Sequence, residues 1–313
     1  MVGAGATGGF FGGKLAQAGR DITFLLREAR ARQVRENGLV LVMPAGTTTL
    51  HPKVITAADL REFAAGQQPF DLIVISTKAY QLEGAMDDIA PAVGPQTMVM
   101  PILNGMRQLS VLTERFGARR VLGGSVRIVS DLDPEGHVHQ KTTLGEMSFG
   151  EVRAEPAAEV GSDWTERLAA VNRELQGAGF AAVLQPAILA TLWQKWWILA
   201  SIGVVCVLAR GTTGQAVSAP QGEAFVRAVI REATAIAEAN GYPPDPAMLE
   251  SHIERLLDRG SPLTSSMYRD MTKGAPVEAD HILGDLLQRA RDVDAPLSRA
   301  AFVQLKVYEA GRG

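Results

Sequence analysis

Hydrophobic patterning changes character part-way along the chain. Up to about residue 185, short continuous apolar runs alternate with segments of helical spacing, the order expected of a mainly parallel sheet covered on both faces. Phe10 to Ala18 predicts a helix and Asp21 to Leu26 a buried strand. Phe70–Ser76 and Thr97–Leu103 predict further buried strands, the second with an irregular end at Pro101. Arg120 to Val129 predicts another strand, and Asp133-Pro134-Glu135-Gly136 places Asp, Pro and Gly at the favoured positions of a tight turn before His137-Val138-His139-Gln140. That part predicts an antiparallel edge. From Pro186 onward, apolar residues recur at helical spacing through residues 187–209, 222–240, 246–258, 277–292 and 298–309. An α/β domain over residues 1–185 and an all-α domain over residues 186–313 are expected, divided where Pro186 closes the short strand Ala181–Leu184.

The start of the chain says what the α/β half is for. Gly3-Ala4-Gly5-Ala6-Thr7-Gly8-Gly9 is a glycine fingerprint standing before a helix. In a dinucleotide-binding βαβ unit, the first glycine makes the tight turn, the second admits the pyrophosphate and the third lets helix and strand pack closely, with phosphate on the helix N-terminus. This makes the first domain Rossmann-type. About 19 residues beyond Gly8 the next apolar run ends in Leu26-Arg27 instead of an acid. An acid there would bind the ribose hydroxyl of NAD, whereas a guanidinium suits the extra phosphate of NADP, so NADP(H) is the expected cofactor. Only Met1 and Val2 precede Gly3, against about 5–6 residues in an ordinary strand. The first strand is therefore expected to be truncated as written, a start recorded a few residues late being the favoured explanation.

Composition narrows the picture. A chain of 313 residues with 46% apolar and 21% charged positions is long enough for two cores. A net charge of −3 and dispersed Lys and Arg offer no cationic field for nucleic acid. The single cysteine, Cys206, lies in an apolar run and is expected as a buried thiol, with no disulfide. No basic-then-apolar leader is seen, and the longest apolar stretch, Trp196 to Ala209, is short of the roughly 18–20 residues that cross a bilayer. A cytoplasmic location without membrane attachment is expected. The apolar C-terminal helices offer a surface for a homodimer.

In open α/β sheets, ligands bind beyond the carboxyl ends of the strands. Thr77-Lys78-Ala79-Tyr80-Gln81 and Asn104-Gly105-Met106 follow two such ends; alternatives are a solvated lysine and an ordinary turn. Lys195, in Leu192-Trp193-Gln194-Lys195-Trp196-Trp197, heads a helix apolar on every side. It either snorkels to water or meets a cleft with its pKa lowered by desolvation, ready to give a proton. Thr264-Ser265-Ser266-Met267 and Glu278 can cap helices or bind ligands. His137 and His139 share one strand face, but without a third ligand at a telling spacing no metal is expected. No serine or cysteine nucleophile set is evident.

Taken in order and spacing, Gly3–Gly8, Arg27, Ser76-Thr77-Lys78-Ala79, Leu103-Asn104-Gly105-Met106, Leu192-Trp193-Gln194-Lys195, Ser265-Ser266-Met267 and Glu278 resemble the ketopantoate reductase (2-dehydropantoate 2-reductase) family. The resemblance covers nearly the whole chain. It implies a Rossmann domain, a helical domain and a cleft between them where NADPH reduces a 2-oxo acid, ketopantoate to pantoate in pantothenate biosynthesis. It also implies Lys195 as general acid and Glu278 as the partner of the forming hydroxyl. Asn104, Ser266 and Lys78 would contact substrate, and Gly3, Ala4, Gly5, Ala6, Thr7, Gly8, Arg27, Lys78, Asn104 and Glu278 the cofactor. Members of the family carry asparagines one and two helical turns after the lysine, where this chain has Leu199 and Gly203; ketopantoate remains the expected substrate, with a related, less polar 2-oxo acid as the alternative that Leu199 suits better. Another two-domain dehydrogenase acting on a 3-hydroxy acid, or an NADP-binding protein without turnover, are the alternatives.

Overall fold

A computed structural model describes residues 1–64, 70–152 and 162–312. Two compact units emerge, one of Met1–Leu103 with Gln108–Leu189, the other of Asn104–Arg107 with Ala190–Gly313. The loop after one strand of the first unit thus packs with the second.

The first unit runs α1 (Ala6–Gln17), β1 (Thr23–Leu25), α2 (Glu28–Asn37), β2 (Leu39–Met43), β3 (Gly46–Leu50), β4 (Lys53–Ile55), α3 (Ala57–Ala64), β5 (Leu72–Ile75), α4 (Leu82–Ile89), β6 (Met98–Pro101), α5 (Arg107–Phe116), β7 (Leu122–Leu132), β8 (Val138–Glu151), α6 (Ser162–Leu175) and β9 (Ala181–Leu184). Parallel pairs β1–β4 and β5–β6 are joined through Val2, which bridges Leu25 on one side and Ile75 on the other. Val2 therefore stands at the centre of the sheet. Val2 N–H donates to Val74 O, Ser76 N–H to Val2 O, Leu25 N–H to Met1 O and Gly3 N–H to Leu25 O, at 2.8–3.0 Å.

A second, mixed sheet has the order β3-β2-β8-β7, with β9 also on β8. The β7–β8 pair is antiparallel as the turn predicts, with β7 at the edge of this sheet and β8 inside it. β8 is long enough to take two partners in series on its other side, β2 at Val138 and His139 and β9 from Glu146 to Phe149. Between the layers sit Phe10, Phe11, Phe24, Leu39, Leu41, Met147 and Phe149, with Phe10, Phe11 and Phe180 in successive edge-to-face contacts about 5 Å apart.

The second unit is helical: α7 (Ile188–Ala209), α8 (Thr213–Ser218), α9 (Gly222–Ala239), α10 (Pro246–Leu257), α11 (Ser266–Thr272), a π-helical turn at Asp280–Gly284 leading into α12 (Asp285–Gln288), and α13 (Pro296–Ala310). The helix expected over 277–292 is thus a widened turn plus one short helix, an arrangement that keeps Ile282, Leu283 and Leu286 buried. α7 is long and apolar enough to cross a bilayer by length and composition alone, yet 67% of its most apolar window is buried inside the protein, as an all-round apolar core helix requires. Cys206 lies on it, fully buried, its thiol pushed up to about 11 mainly by desolvation.

Candidate functional site

In the first unit the glycine turn is built for close approach. Gly3 holds φ +92°, and a Cβ on Gly8 would stand 2.4 Å from Gly3 O and 2.9 Å from Ser76 Cβ, so neither position tolerates a side chain. Gly5 is the N-cap of α1 without a side-chain cap, and the first amide to reach a helix carbonyl is that of Gly9, 2.8 Å from Gly5 O. The amides of Ala6, Thr7 and Gly8 are left without helix carbonyls. Space beyond Gly5 is open within 4 Å, and the buried Thr77 Oγ1 nearby has no hydrogen-bond partner. A bare helix N-terminus, a cradle that a Cβ would fill and an orphaned hydroxyl fit a dinucleotide pyrophosphate. Lys78 follows Thr77 and is half-buried.

Arg27 is the N-cap of α2 and exposed, with no side-chain partner among the described residues. Its neighbour Arg30, which sequence reasoning passed over, is engaged: Nε donates to Ala4 O (3.2 Å), Nη1 to Gln33 Oε1 (2.6 Å) and Nη2 to Gly136 O (2.8 Å). Of the two, only Arg27 offers an unengaged guanidinium.

The structure brings Asp133 to His137 and His139, a third side chain that their spacing in the sequence did not reveal. Its Oδ2 lies 3.0 Å from His137 Nδ1 and 2.8 Å from His139 Nε2. Desolvation pushes this carboxyl upward, but the His139 hydrogen bond, the His137 amide and the charge of both rings together hold it down at about 2. The turn residue was identified as a turn former, and its side chain reaches back only once the hairpin closes.

The second unit gathers the other polar candidates. Lys195 is half-buried on α7 between Gln194 and the fully buried Trp196. Burial lowers its ammonium from 10.5 to about 8, against the opposing pull of the Glu278 carboxylate. Glu278 is itself buried, at 8% exposure. What positions the two is a bond beside each: Trp196 Nε1 donates to Ile282 O (2.9 Å), and Ile282 N–H donates to Glu278 O (3.1 Å). Trp193 stacks on Tyr242, with ring centroids 5.6 Å apart, and braces the same turn of α7.

Asn104 is half-buried in the segment that packs with this unit. Arg107 and His281 were not singled out from sequence. His281 is held below its usual value by desolvation and then by the Arg107 charge, against Glu278, Asp280 and Asp285; its place three residues after Glu278 was the available signal. Ser265 caps α11 by accepting from Tyr268 N–H (3.0 Å), whereas the Ser266 hydroxyl makes no bond among the described residues. Leu199, one turn past Lys195, is half-buried beside Ile198. At Gly203 the room a side chain would take is held by Met267, whose Cε is 2.9 Å from an ideal Cβ position.

Residues 1–154 match the sequence profile described as ketopantoate reductase PanE/ApbA, and residues 187–309 its C-terminal counterpart. An uncharacterised oxidoreductase of Bacillus subtilis, YkpB, is 31% identical over 312 residues, covering 99% of this chain and 98% of that protein. A 2-dehydropantoate 2-reductase of Mesorhizobium japonicum is 31% identical over 322 residues, covering 95% and 92%. Among solved structures, D-mandelate dehydrogenase with NADH and anilino(oxo)acetate superposes with a TM-score of 0.82 at 20% identity, over 100% of this chain and 99% of that one. The chain belongs to the ketopantoate reductase family of oxidoreductases.

Proposed function

We propose that the protein uses NADPH to reduce a 2-oxo acid less polar than ketopantoate to the corresponding 2-hydroxy acid. The observation that carries this reading is Lys195, an amine whose proton affinity burial brings near neutrality, beside the buried acid Glu278. NADPH, when bound, supplies hydride to the keto carbon, and the oxygen then needs one proton. Lys195 stabilises the negative charge growing on that oxygen and delivers the proton, and Glu278 accepts a hydrogen bond from the new hydroxyl. Asn104 and Ser266 hold the substrate, with the unengaged hydroxyl of Ser266 at its carboxylate, and Lys78 stands with the glycine turn that binds the cofactor. The free guanidinium of Arg27 supports NADPH over NADH.

The substrate class rests on α7. Where members of the family carry asparagines, this helix has Leu199 and Gly203, and the thioether methyl of Met267 fills the Gly203 position. A pocket without polar partners for a substrate hydroxyl does not favour the acid that carries one. The test is NADPH oxidation with ketopantoate, 2-oxoisovalerate and phenylglyoxylate, in wild type and Lys195→Ala. The expected result is higher kcat/KM for the unhydroxylated acids and loss of turnover in the variant with NADPH affinity retained. A strong preference for ketopantoate overturns the substrate assignment, and a near-normal rate in Lys195→Ala overturns the mechanism.

A further inference from the structure

We propose that Asp133, His137 and His139 form a binding site for a divalent first-row transition-metal ion at the closed end of the β7–β8 hairpin. His137 and His139 are two apart on or next to β8 and so present their rings on one face, while Asp133 stands across the turn. Asp133 Oδ2, His137 Nδ1 and His139 Nε2 all lie within 4.8 Å of one another, with the carboxylate oxygen 3.0 and 2.8 Å from the two ring nitrogens. An ion with bonds of about 2.1 Å at right angles sets neighbouring ligand atoms about 3.0 Å apart. The carboxylate oxygen already stands at that spacing from both ring nitrogens, and the two nitrogens lie within 4.8 Å of each other.

The carboxylate is fixed before any ion arrives, because His137 N–H donates to its other oxygen, Oδ1, at 2.7 Å. As a ligand, each imidazole gives the ion its unprotonated nitrogen and keeps its proton on the other. Two imidazoles and one carboxylate select a transition ion over magnesium or calcium, which prefer all-oxygen sets. All three side chains are partly exposed, between 23% and 39%, so an ion can enter and water can complete its shell.

The surroundings point to a bracing role. Arg30 donates to Gly136 O, inside the turn, and to Ala4 O, inside the glycine loop, while Gln33 Nε2 donates to Glu135 O (2.6 Å). The hairpin tip is thereby tied to the loop of the cofactor cradle, and an ion holding Asp133 to β8 stiffens that tie.

The experiment uses tag-free protein stripped with chelator, titrated with Co²⁺ by visible absorption and with Zn²⁺ by calorimetry. One ion per chain, competition between the two metals and a rise in Tm are expected. His137→Gln and His139→Gln should each weaken binding by about tenfold or more, and the double variant should abolish it. In the wild type, Zn²⁺ should also protect these two rings from diethylpyrocarbonate, read by mass spectrometry, which keeps the test independent of how the variants fold. Absence of a d–d band at stoichiometric Co²⁺, undiminished binding in the double variant, or unprotected rings would each overturn the assignment.

Discussion

Replacing Lys195 by Met separates the cost of the buried ammonium from its use. A fall from 10.5 to about 8 means that the charged form is about 3 kcal/mol less favourable in the folded chain than in water. Because the folded value lies below the unfolded one, the penalty is complete below pH 8, where both states carry the proton. Between pH 8 and 10.5 the unfolded chain alone keeps it, so stability rises with pH, and above 10.5 the penalty is gone. Lys195→Met retains an apolar stem and loses the charge. It should be more stable than wild type at pH 7, by up to about 3 kcal/mol, with the difference closing as pH rises from 8 to 10.5. Turnover should move the other way, falling by about 10²–10⁴-fold, the exchange of stability for activity expected of a functional group. In wild type, reductive kcat/KM should decline tenfold per pH unit above about 8, because the proton donor is lost. Urea unfolding across pH and steady-state NADPH oxidation supply both readings. A variant less stable than wild type at pH 7, or a wild-type rate flat to pH 10, would refute the desolvated-acid reasoning.

Arg27→Ala should raise KM for NADPH about 10–100-fold, the worth of charge-assisted bonds to one phosphate, and leave KM for NADH nearly unchanged; equal effects on both would remove Arg27 as the discriminator. Trp196→Phe deletes the 2.9 Å bond to Ile282 O and leaves a buried carbonyl unpaired, at a cost of about 1–3 kcal/mol. If that bond sets Glu278, KM for the 2-oxo acid should rise while KM for NADPH holds, and a loss of stability alone would make it purely structural. Leu199→Asn should shift the kcat/KM ratio toward ketopantoate over 2-oxoisovalerate by about tenfold or more, and an unchanged ratio would place Leu199 outside the pocket.

What could be read from the residues follows how far each feature reaches along the chain. The glycine turn, the strand Ala181–Leu184 and the core helix α7 depend on near neighbours, and their patterns are sufficient. The second partner of β8 depends on Ala181–Leu184 lying beside residues about 35 positions earlier, which no local periodicity records. The same holds for Asp133, a turn former by composition whose carboxylate meets both rings only after the hairpin closes. Asn104–Arg107 follows a strand of one unit and packs with the other, a choice invisible in an Asn-Gly turn.

Lys195 shows where the two kinds of information meet. About two turns into the apolar helix α7, the amine must either escape to water or give up some of its proton affinity, and no local pattern chooses between these. The choice is made by groups far away in sequence. Trp196 bonds to a carbonyl 86 residues on, that residue's amide bonds to Glu278 O, and the Glu278 carboxylate restores part of what burial removes. The balance between burial and that one carboxylate sets the proton affinity near 8. Glu278→Gln should therefore lower the pH at which reductive kcat/KM begins to fall, because burial would act unopposed. An unmoved pH profile in that variant would mean that Lys195 and Glu278 do not act on the same proton.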